Sequence, residues 1–114
     1  MPYIAINTSQ KLSDAQKEKI KAELSRLIAI IPTKTEAGTL VDFSDARTMY
    51  KAWEKIDGAF IDLRLFRKSE FEFKKKFTEE AFEMFSRELG IKTENIYLNI
   101  MEFEAWGAGG TLKL

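Results

Sequence analysis

The sequence contains no cysteine and no histidine, and these two absences limit the chemistry open to it. Without cysteine there is no disulfide framework, no thiolate nucleophile and no CxxC redox or zinc site. Without histidine the chain lacks the commonest general base and metal ligand near neutral pH. Any catalytic step therefore has to use other groups.

Net charge and long apolar runs are absent as well. The 18 basic and 18 acidic side chains cancel, so no net field favours nucleic acid or an anionic membrane as a partner. No apolar run approaches the roughly 20 residues of a membrane span, and the first residues do not have the pattern of a signal peptide. We therefore expect a single globular domain, residues 1–114, in the cytoplasm.

Two segments with the same pattern follow each other along the chain, at about 2–44 and 59–103. Each has an apolar β-prone run, then apolar residues at helical spacing, then a second apolar run. A strand–helix–strand unit of this kind is a right-handed crossover that joins parallel strands. The pattern predicts an α/β (α+β) domain in which two βαβ units form a four-stranded mixed sheet with two helices on one face.

The two predicted helices carry start and stop signals. Ser13 with Gln16 three residues later has the spacing of a capping box, and Ser69 with Glu72 repeats it. Gly90 follows the second apolar stripe, where a left-handed C-cap is expected.

Two segments lie outside this repeat. Residues 44–58 have no clear period in the spacing of their apolar residues, and we expect a crossover loop with a short helix or strand near Met49 to Trp53. The Gly-rich tail from Trp106 to Gly110 is expected to form a turn. The two tryptophans are interpreted as packing or interface residues.

The sheet face opposite the helices has an unusual composition. Alternation along the third and last strands predicts that this face carries both large apolar and polar side chains: Phe60, Asp62, Arg64, Phe66, Tyr97, Asn99, Met101 and Phe103. Such a face is too apolar for open water and too polar for a dry core. It predicts a partner, most simply further copies of the same chain.

Proline at position 2 raises a question of chemistry. Aminopeptidases remove an initiator methionine when the next residue is small, and the new chain end would then be the secondary amine of Pro2. Burial and a nearby cation lower the pKa of such an amine from its ordinary value of about 8. Pro2 is therefore either a general base poised near neutral pH or an ordinary chain end.

The opening MPYIAINTS and the segment ELGIKTENIYLNI resemble the tautomerase superfamily, specifically the macrophage migration inhibitory factor (MIF) family. The resemblance implies a homotrimer whose sheets surround a central channel, with an active site at each subunit interface. It also implies a cofactor-independent, metal-free isomerase. Pro2 would move a proton in the keto–enol tautomerisation of a phenylpyruvate-like 2-oxo acid.

The resemblance also implies roles for four further residues. Lys34 matches the family's active-site lysine, which binds the substrate carboxylate and helps to lower the pKa of the amine. Phe66 falls where the family contributes a backbone N–H and an apolar wall. Tyr97 and Asn99 match residues that line the neighbouring subunit's pocket.

The chain also departs from the family pattern. Its turn after the third strand is bulkier and more basic, and Arg64 and Arg67 could bind a second carboxylate, as arginines do in the dehalogenase and hydratase branch, or form ordinary ion pairs. The family's C-terminal Gly-Trp element has no match, because Trp106 follows Tyr97 too closely.

The alternatives are thus a hydratase or dehalogenase acting on unsaturated acids, a trimeric binding or signalling protein with a vestigial pocket, and a ferredoxin-like interaction module without a pocket.

Overall fold

The computed structural model describes residues 1–114. In chain order the helices and strands are β1 (Pro2–Thr8), α1 (Asp14–Leu27), β2 (Leu40–Ser44), β3 (Met49–Lys51), β4 (Glu54–Ile56), β5 (Ala59–Phe66), α2 (Phe71–Leu89), β6 (Ile96–Phe103), β7 (Trp106–Ala108) and β8 (Thr111–Lys113).

Four strands form one mixed sheet in the order β2–β1–β5–β6. The outer pairs, β1 with β2 and β5 with β6, are parallel, and the central pair β1 with β5 is antiparallel. Each parallel pair needs a crossover, and α1 and α2 supply the two crossovers. The predicted α+β fold, a mixed four-stranded sheet with two helices on one face, is confirmed.

The core lies between this sheet and the helices. Alternate residues of the central strands are fully buried, among them Ile4, Ile6, Ile61, Leu63 and Leu65. The helices contribute apolar residues three or four positions apart, which is the spacing that puts them on one face. These helical core residues are Ile20, Leu24 and Leu27 of α1 and Phe77, Ala81, Met84, Phe85 and Leu89 of α2.

Two of the three predicted helix-end signals are confirmed. The Ser13 hydroxyl accepts a hydrogen bond from the Gln16 N–H at 3.1 Å, and the Gln16 side chain accepts one from the Ser13 N–H at 2.9 Å. Gly90 caps α2 in the left-handed region, with φ 67°. The capping box at Ser69 is wrong: α2 begins one residue later, after Glu70, and the Ser69 N–H donates to Glu102 of β6.

The two less regular segments both form β-hairpins. Strands β3 and β4 are joined by a two-residue turn in which Ala52 and Trp53 have φ values of 51° and 66°. The tail, predicted as a turn alone, forms strands β7 and β8 around Gly109 and Gly110 at φ 61° and 82°. Positive φ at both positions is the geometry of a tight hairpin turn. Trp53, at the tip of the β3–β4 hairpin, is 95% exposed.

The sheet face away from the helices is uncovered in the single chain. Its large side chains are about half exposed, with Phe60 at 42%, Tyr97 at 45% and Phe103 at 40%. In the middle of this face one oxygen of Asp62 is buried without a hydrogen-bond partner. Neither helix has the length and apolar composition needed to cross a bilayer.

Candidate functional site

A cavity of about 580 Å³ opens at the end of the sheet where β1 begins and β5 ends. It is lined by Met1, by residues 32–34 that follow α1, and by the connection from β5 to α2, residues 66–70. Three separate parts of the chain meet here because the start of antiparallel β1 lies beside the end of β5.

The N-terminal end of the chain reaches this cavity. Pro2 is the first residue of β1, is buried, and pairs with Leu65 of β5. Met1, which precedes it, lines the cavity. Burial lowers the pKa of the Met1 amino group, and the charges of Lys34 and Lys113 lower it further. A larger fraction of an amine at this end of β1 is therefore unprotonated near neutral pH than of an exposed one.

Lys34 is the most buried charged side chain of the protein, with only 7% of its surface exposed. Its Nζ donates a hydrogen bond of 2.7 Å to the carbonyl oxygen of Phe66. Burial lowers its pKa; the carboxylate of Glu102 opposes this effect and the charge of Arg67 adds to it. A lysine ammonium has three donors, so Lys34 can bind an anion in the cavity while it keeps its bond to Phe66.

Phe66 and the residue after it form the opposite wall. The Phe66 ring lies 6.3 Å from the ring of Trp106 in β7, and the Arg67 guanidinium lies 4.9 Å from the Phe66 ring centre. The backbone of Arg67 has φ 73°, and its N–H donates to the Phe103 carbonyl at 2.7 Å. The structure thus places Pro2, Lys34, Phe66 and Arg67 at one end of the sheet.

Glu102 supports this wall, and the sequence reasoning missed it. One carboxylate oxygen accepts from the Ser69 N–H at 2.6 Å and the other from the Lys74 Nζ at 2.8 Å. Burial raises the pKa of Glu102, but Lys74 and the Ser69 N–H more than offset this and hold it below its ordinary value. No sequence signal joins Glu102 to Ser69, because the two are 33 positions apart.

The other three predicted site residues lie outside the cavity of their own chain. The Arg64 side chain is on the uncovered sheet face, where it pairs with Asp62 at 3.3 Å and lies 5.6 Å from the Tyr3 ring centre. Alternation along β5 explains this, because Arg64 and buried Leu65 point to opposite faces.

Tyr97 and Asn99 are also on the uncovered face, and they pair with Phe60 and Asp62 of β5. Phe60 is five residues from Leu65, which pairs with Pro2, so Tyr97 is about 17 Å along the sheet from Pro2. Within one chain neither residue lines the cavity that contains Lys34.

The chain has neither histidine nor cysteine, so carboxylates are its metal-binding side chains. No three of them lie close enough together to hold a metal ion. The polar groups of the cavity lining are the chain-terminal amine, three cationic side chains, two hydroxyls and one carboxylate: Met1, Lys34, Arg67, Lys68, Thr33, Ser69 and Glu70. Such a set can bind an anion and transfer a proton.

The architecture described above is the fold found in solved structures of MIF-like proteins and of a member of the cis-3-chloroacrylic acid dehalogenase family. The resemblance read from the sequence is confirmed at the level of the fold. No family model and no curated protein sequence matches the chain.

The similar structures include two MIF-like proteins. The MIF2 protein of Leishmania major is 20% identical and superimposes with a TM-score of 0.91, over 99% of this chain and 97% of that one. The MIF-like protein of Entamoeba histolytica is 18% identical, with a TM-score of 0.86 over 98% of both chains. The protein N1, a member of the cis-3-chloroacrylic acid dehalogenase family, is 14% identical, with a TM-score of 0.84 over 96% of this chain and 82% of that one.

Proposed function

We propose that this protein is a tautomerase that uses the secondary amine of Pro2, freed by removal of Met1, as its general base on a small 2-oxo acid. The observation that carries the proposal is the position of buried Pro2 beside a cavity that also contains the nearly buried ammonium of Lys34. The fold supports the same conclusion, because it is shared with the tautomerase superfamily.

The electrostatics of the chain end support a base at this position. Burial and Lys34 lower the pKa of the Met1 amine. The amine of a processed chain lies one residue further in, at a residue that is itself buried, so both causes act on it as well. A lowered pKa increases the fraction of this amine that is unprotonated at neutral pH, which is the form a general base needs.

The proposed reaction is a proton transfer between oxygen and carbon. Lys34 binds the substrate carboxylate, the Phe66 ring packs against its apolar part, and the Pro2 nitrogen takes the proton of the enol hydroxyl. The same nitrogen then delivers a proton to the neighbouring carbon as the carbonyl forms. The amine is regenerated, and no redox cofactor or metal takes part.

We further propose that the working form is a homotrimer in which Tyr97 and Asn99 of one subunit line the cavity of the next. The half-exposed aromatic face that carries both residues supports this assembly.

The first test is the tautomerisation of the enol of phenylpyruvate between pH 5 and 9, by wild type and Pro2→Ala with both N-termini confirmed by intact mass. We expect loss of activity in Pro2→Ala, and a wild-type kcat/KM that rises with pH through an apparent pKa below about 8. An inert wild type, or a Pro2→Ala variant that matches it, would favour the binding-protein alternative. Turnover of 3-chloroacrylate or 2-oxo-3-pentynoate in parallel would favour the hydratase and dehalogenase alternative.

A second test addresses the site between subunits. Pro2→Ala and Tyr97→Ala proteins are unfolded, mixed and refolded together, and sedimentation gives the size of the assembly. A shared site predicts that mixed trimers regain part of the activity that each variant lacks. A monomeric protein, or a mixture as inactive as its parts, would contradict the trimer proposal.

A further inference from the structure

A threonine in a strained backbone conformation, Thr33, precedes the buried lysine of the cavity. Its φ of 69° is in the left-handed region, and among the five non-glycine residues with positive φ it is the only one whose side chain branches at Cβ. A branched side chain is disfavoured there because its Cβ crowds the following carbonyl oxygen. Such strain persists where the surrounding structure enforces it, and it is concentrated at functional sites.

The strain belongs to the turn that leads into Lys34. The Lys34 N–H donates to the Ile31 carbonyl at 3.2 Å, which closes a turn with Pro32 and Thr33 at its centre. Proline at the second position and positive φ at the third are features of a type II turn, whose third position favours glycine. Glycine would form the same turn without strain, so the turn alone does not explain the threonine side chain.

The hydroxyl of Thr33 is available to a ligand. Thr33 is exposed, and it lines the cavity together with Lys34. Its hydroxyl bonds no group of its own chain, in contrast to the hydroxyls of Thr8, Thr39 and Thr78, which donate to backbone carbonyls. A free hydroxyl has one donor and two acceptor positions to offer.

A substrate carboxylate bound to Lys34 alone would be incompletely hydrogen-bonded. The Lys34 ammonium uses one donor for the Phe66 carbonyl, and it acts on an anion as a compact point charge rather than as a planar fork. A carboxylate has two oxygens with about four lone-pair sites, so its second oxygen needs a further donor. Thr33 is next to Lys34 in the chain and lines the same cavity, so its hydroxyl can supply that donor.

We propose that Thr33 is a substrate-binding residue whose hydroxyl donates a hydrogen bond to the carboxylate that Lys34 binds. The turn keeps this donor beside the ammonium. The inference rests on the proposed function for the reaction, but the binding of an acid can be measured without turnover. The hydroxyl takes no part in the proton transfer, which stays with Pro2.

The binding test measures the affinity for 3-phenylpropionate, which has the ring and the carboxylate of phenylpyruvate but no 2-oxo group, by titration calorimetry with Met1-processed protein. Three substitutions separate the hydroxyl from the strain. Thr33→Val removes the hydroxyl and keeps the branched shape, Thr33→Gly removes both hydroxyl and strain, and Thr33→Ser keeps the hydroxyl. We expect Thr33→Val and Thr33→Gly to bind about tenfold more weakly, through loss of a hydrogen bond to a charged group, and Thr33→Ser to stay within about threefold of wild type.

Two matched controls test whether the effect is confined to the cavity. Thr48→Val makes the same change at an exposed position outside the cavity, and Ala46→Gly relieves a φ of 55° in another loop. Both should bind 3-phenylpropionate like wild type. Thr33→Gly suits the third position of a type II turn, so it provides a folded variant if Thr33→Val is unstable. No binding by wild type, wild-type affinity in Thr33→Gly, or an equal loss in all three Thr33 variants would overturn the proposal.

The kinetic test uses the enol of phenylpyruvate. We expect Thr33→Val and Thr33→Gly to raise KM about tenfold and to change kcat less than about threefold, because a bond to the carboxylate is as strong in the bound substrate as in the transition state. A fall in kcat with unchanged binding of 3-phenylpropionate would put the hydroxyl on the reacting oxygen and overturn the carboxylate contact.

The same measurements separate this inference from the proposed reaction. Pro2-dependent turnover with an unchanged KM in Thr33→Val and Thr33→Gly would overturn the inference and leave the reaction intact. Binding of 3-phenylpropionate that needs the Thr33 hydroxyl, by a protein that does not turn over the enol, would support the carboxylate contact and contradict the reaction.

Discussion

Replacement of Lys34 by methionine should weaken substrate binding strongly while it changes stability little. The variant keeps the aliphatic length and removes the ammonium that bonds the Phe66 carbonyl. A charge-assisted hydrogen bond to a substrate carboxylate contributes about 1.5 to 3 kcal/mol, so KM should rise roughly 10- to 150-fold. The unmade bond to Phe66 destabilises the fold, whereas removal of a charge that is 7% exposed stabilises it. These opposed effects should leave the free energy of unfolding within about 1.5 kcal/mol of wild type.

The assay combines steady-state kinetics on the phenylpyruvate enol with urea unfolding, and Lys76→Met on the exposed side of α2 is the control. The pH dependence adds an independent readout. The folded-state pKa of Lys34 lies below its ordinary value of about 10.4, so the unfolded chain binds more protons at this site. Stability should therefore rise with pH between the two pKa values in wild type, and this rise should be absent in Lys34→Met. An unchanged KM in Lys34→Met would refute the anion-binding role.

Three further predictions concern the supports of the site and the fold. Glu102→Gln should lower the free energy of unfolding at pH 7 by about 1 to 3 kcal/mol in urea titrations. Because the pKa of Glu102 is lowered in the folded protein, its stabilising contribution is present above the ordinary carboxyl pKa and is lost as pH falls through the folded pKa. Wild type and variant should therefore have similar stabilities in acid. Phe77→Ala should lower the free energy of unfolding by about 3 to 5 kcal/mol, since Phe77 is fully buried, while Phe71→Ala at a 73% exposed position should have little effect. Equal losses of stability by the two variants in thermal melts would contradict the assignment of Phe77 to the core. Gly90→Ala should lower the free energy of unfolding by about 1 to 2 kcal/mol through its φ of 67° alone, because no atom crowds the added Cβ. Gly107→Ala is the control: its added Cβ is also uncrowded and its φ is not positive, so the same melts should show almost no change.

Much of the fold could be predicted because its signals are local. The capping box at Ser13 and the left-handed cap at Gly90 depend on residues within one helical turn of each other. The period of two in β5 separates its buried and uncovered faces without any knowledge of the rest of the chain. Two such strand–helix–strand patterns in tandem are enough to predict the parallel outer pairs.

The failures have the opposite cause. The sequence around Ser69 has the spacing of a capping box, but the Ser69 N–H donates to the carboxylate of Glu102, which lies in β6, 33 residues further along the chain. The helix begins later, at Phe71. The hairpin at Ala52 and Trp53 lacks the Asn-Gly or Gly-Gly turn that predicts such a hairpin, so its two positive φ values could not be read in advance.

For the candidate site, the sequence by itself excluded histidine and cysteine as the general base, and the base proposed in their place is the amine of Pro2. The tertiary structure decided which of the chain's cations belong together. Arg64 and Arg67 are three residues apart, yet one points from β5 to the uncovered face and the other follows the strand end at the cavity rim. That separation depends on strand pairing and on a backbone turn held by Phe103, and long-range contacts of this kind exist only once the chain has folded.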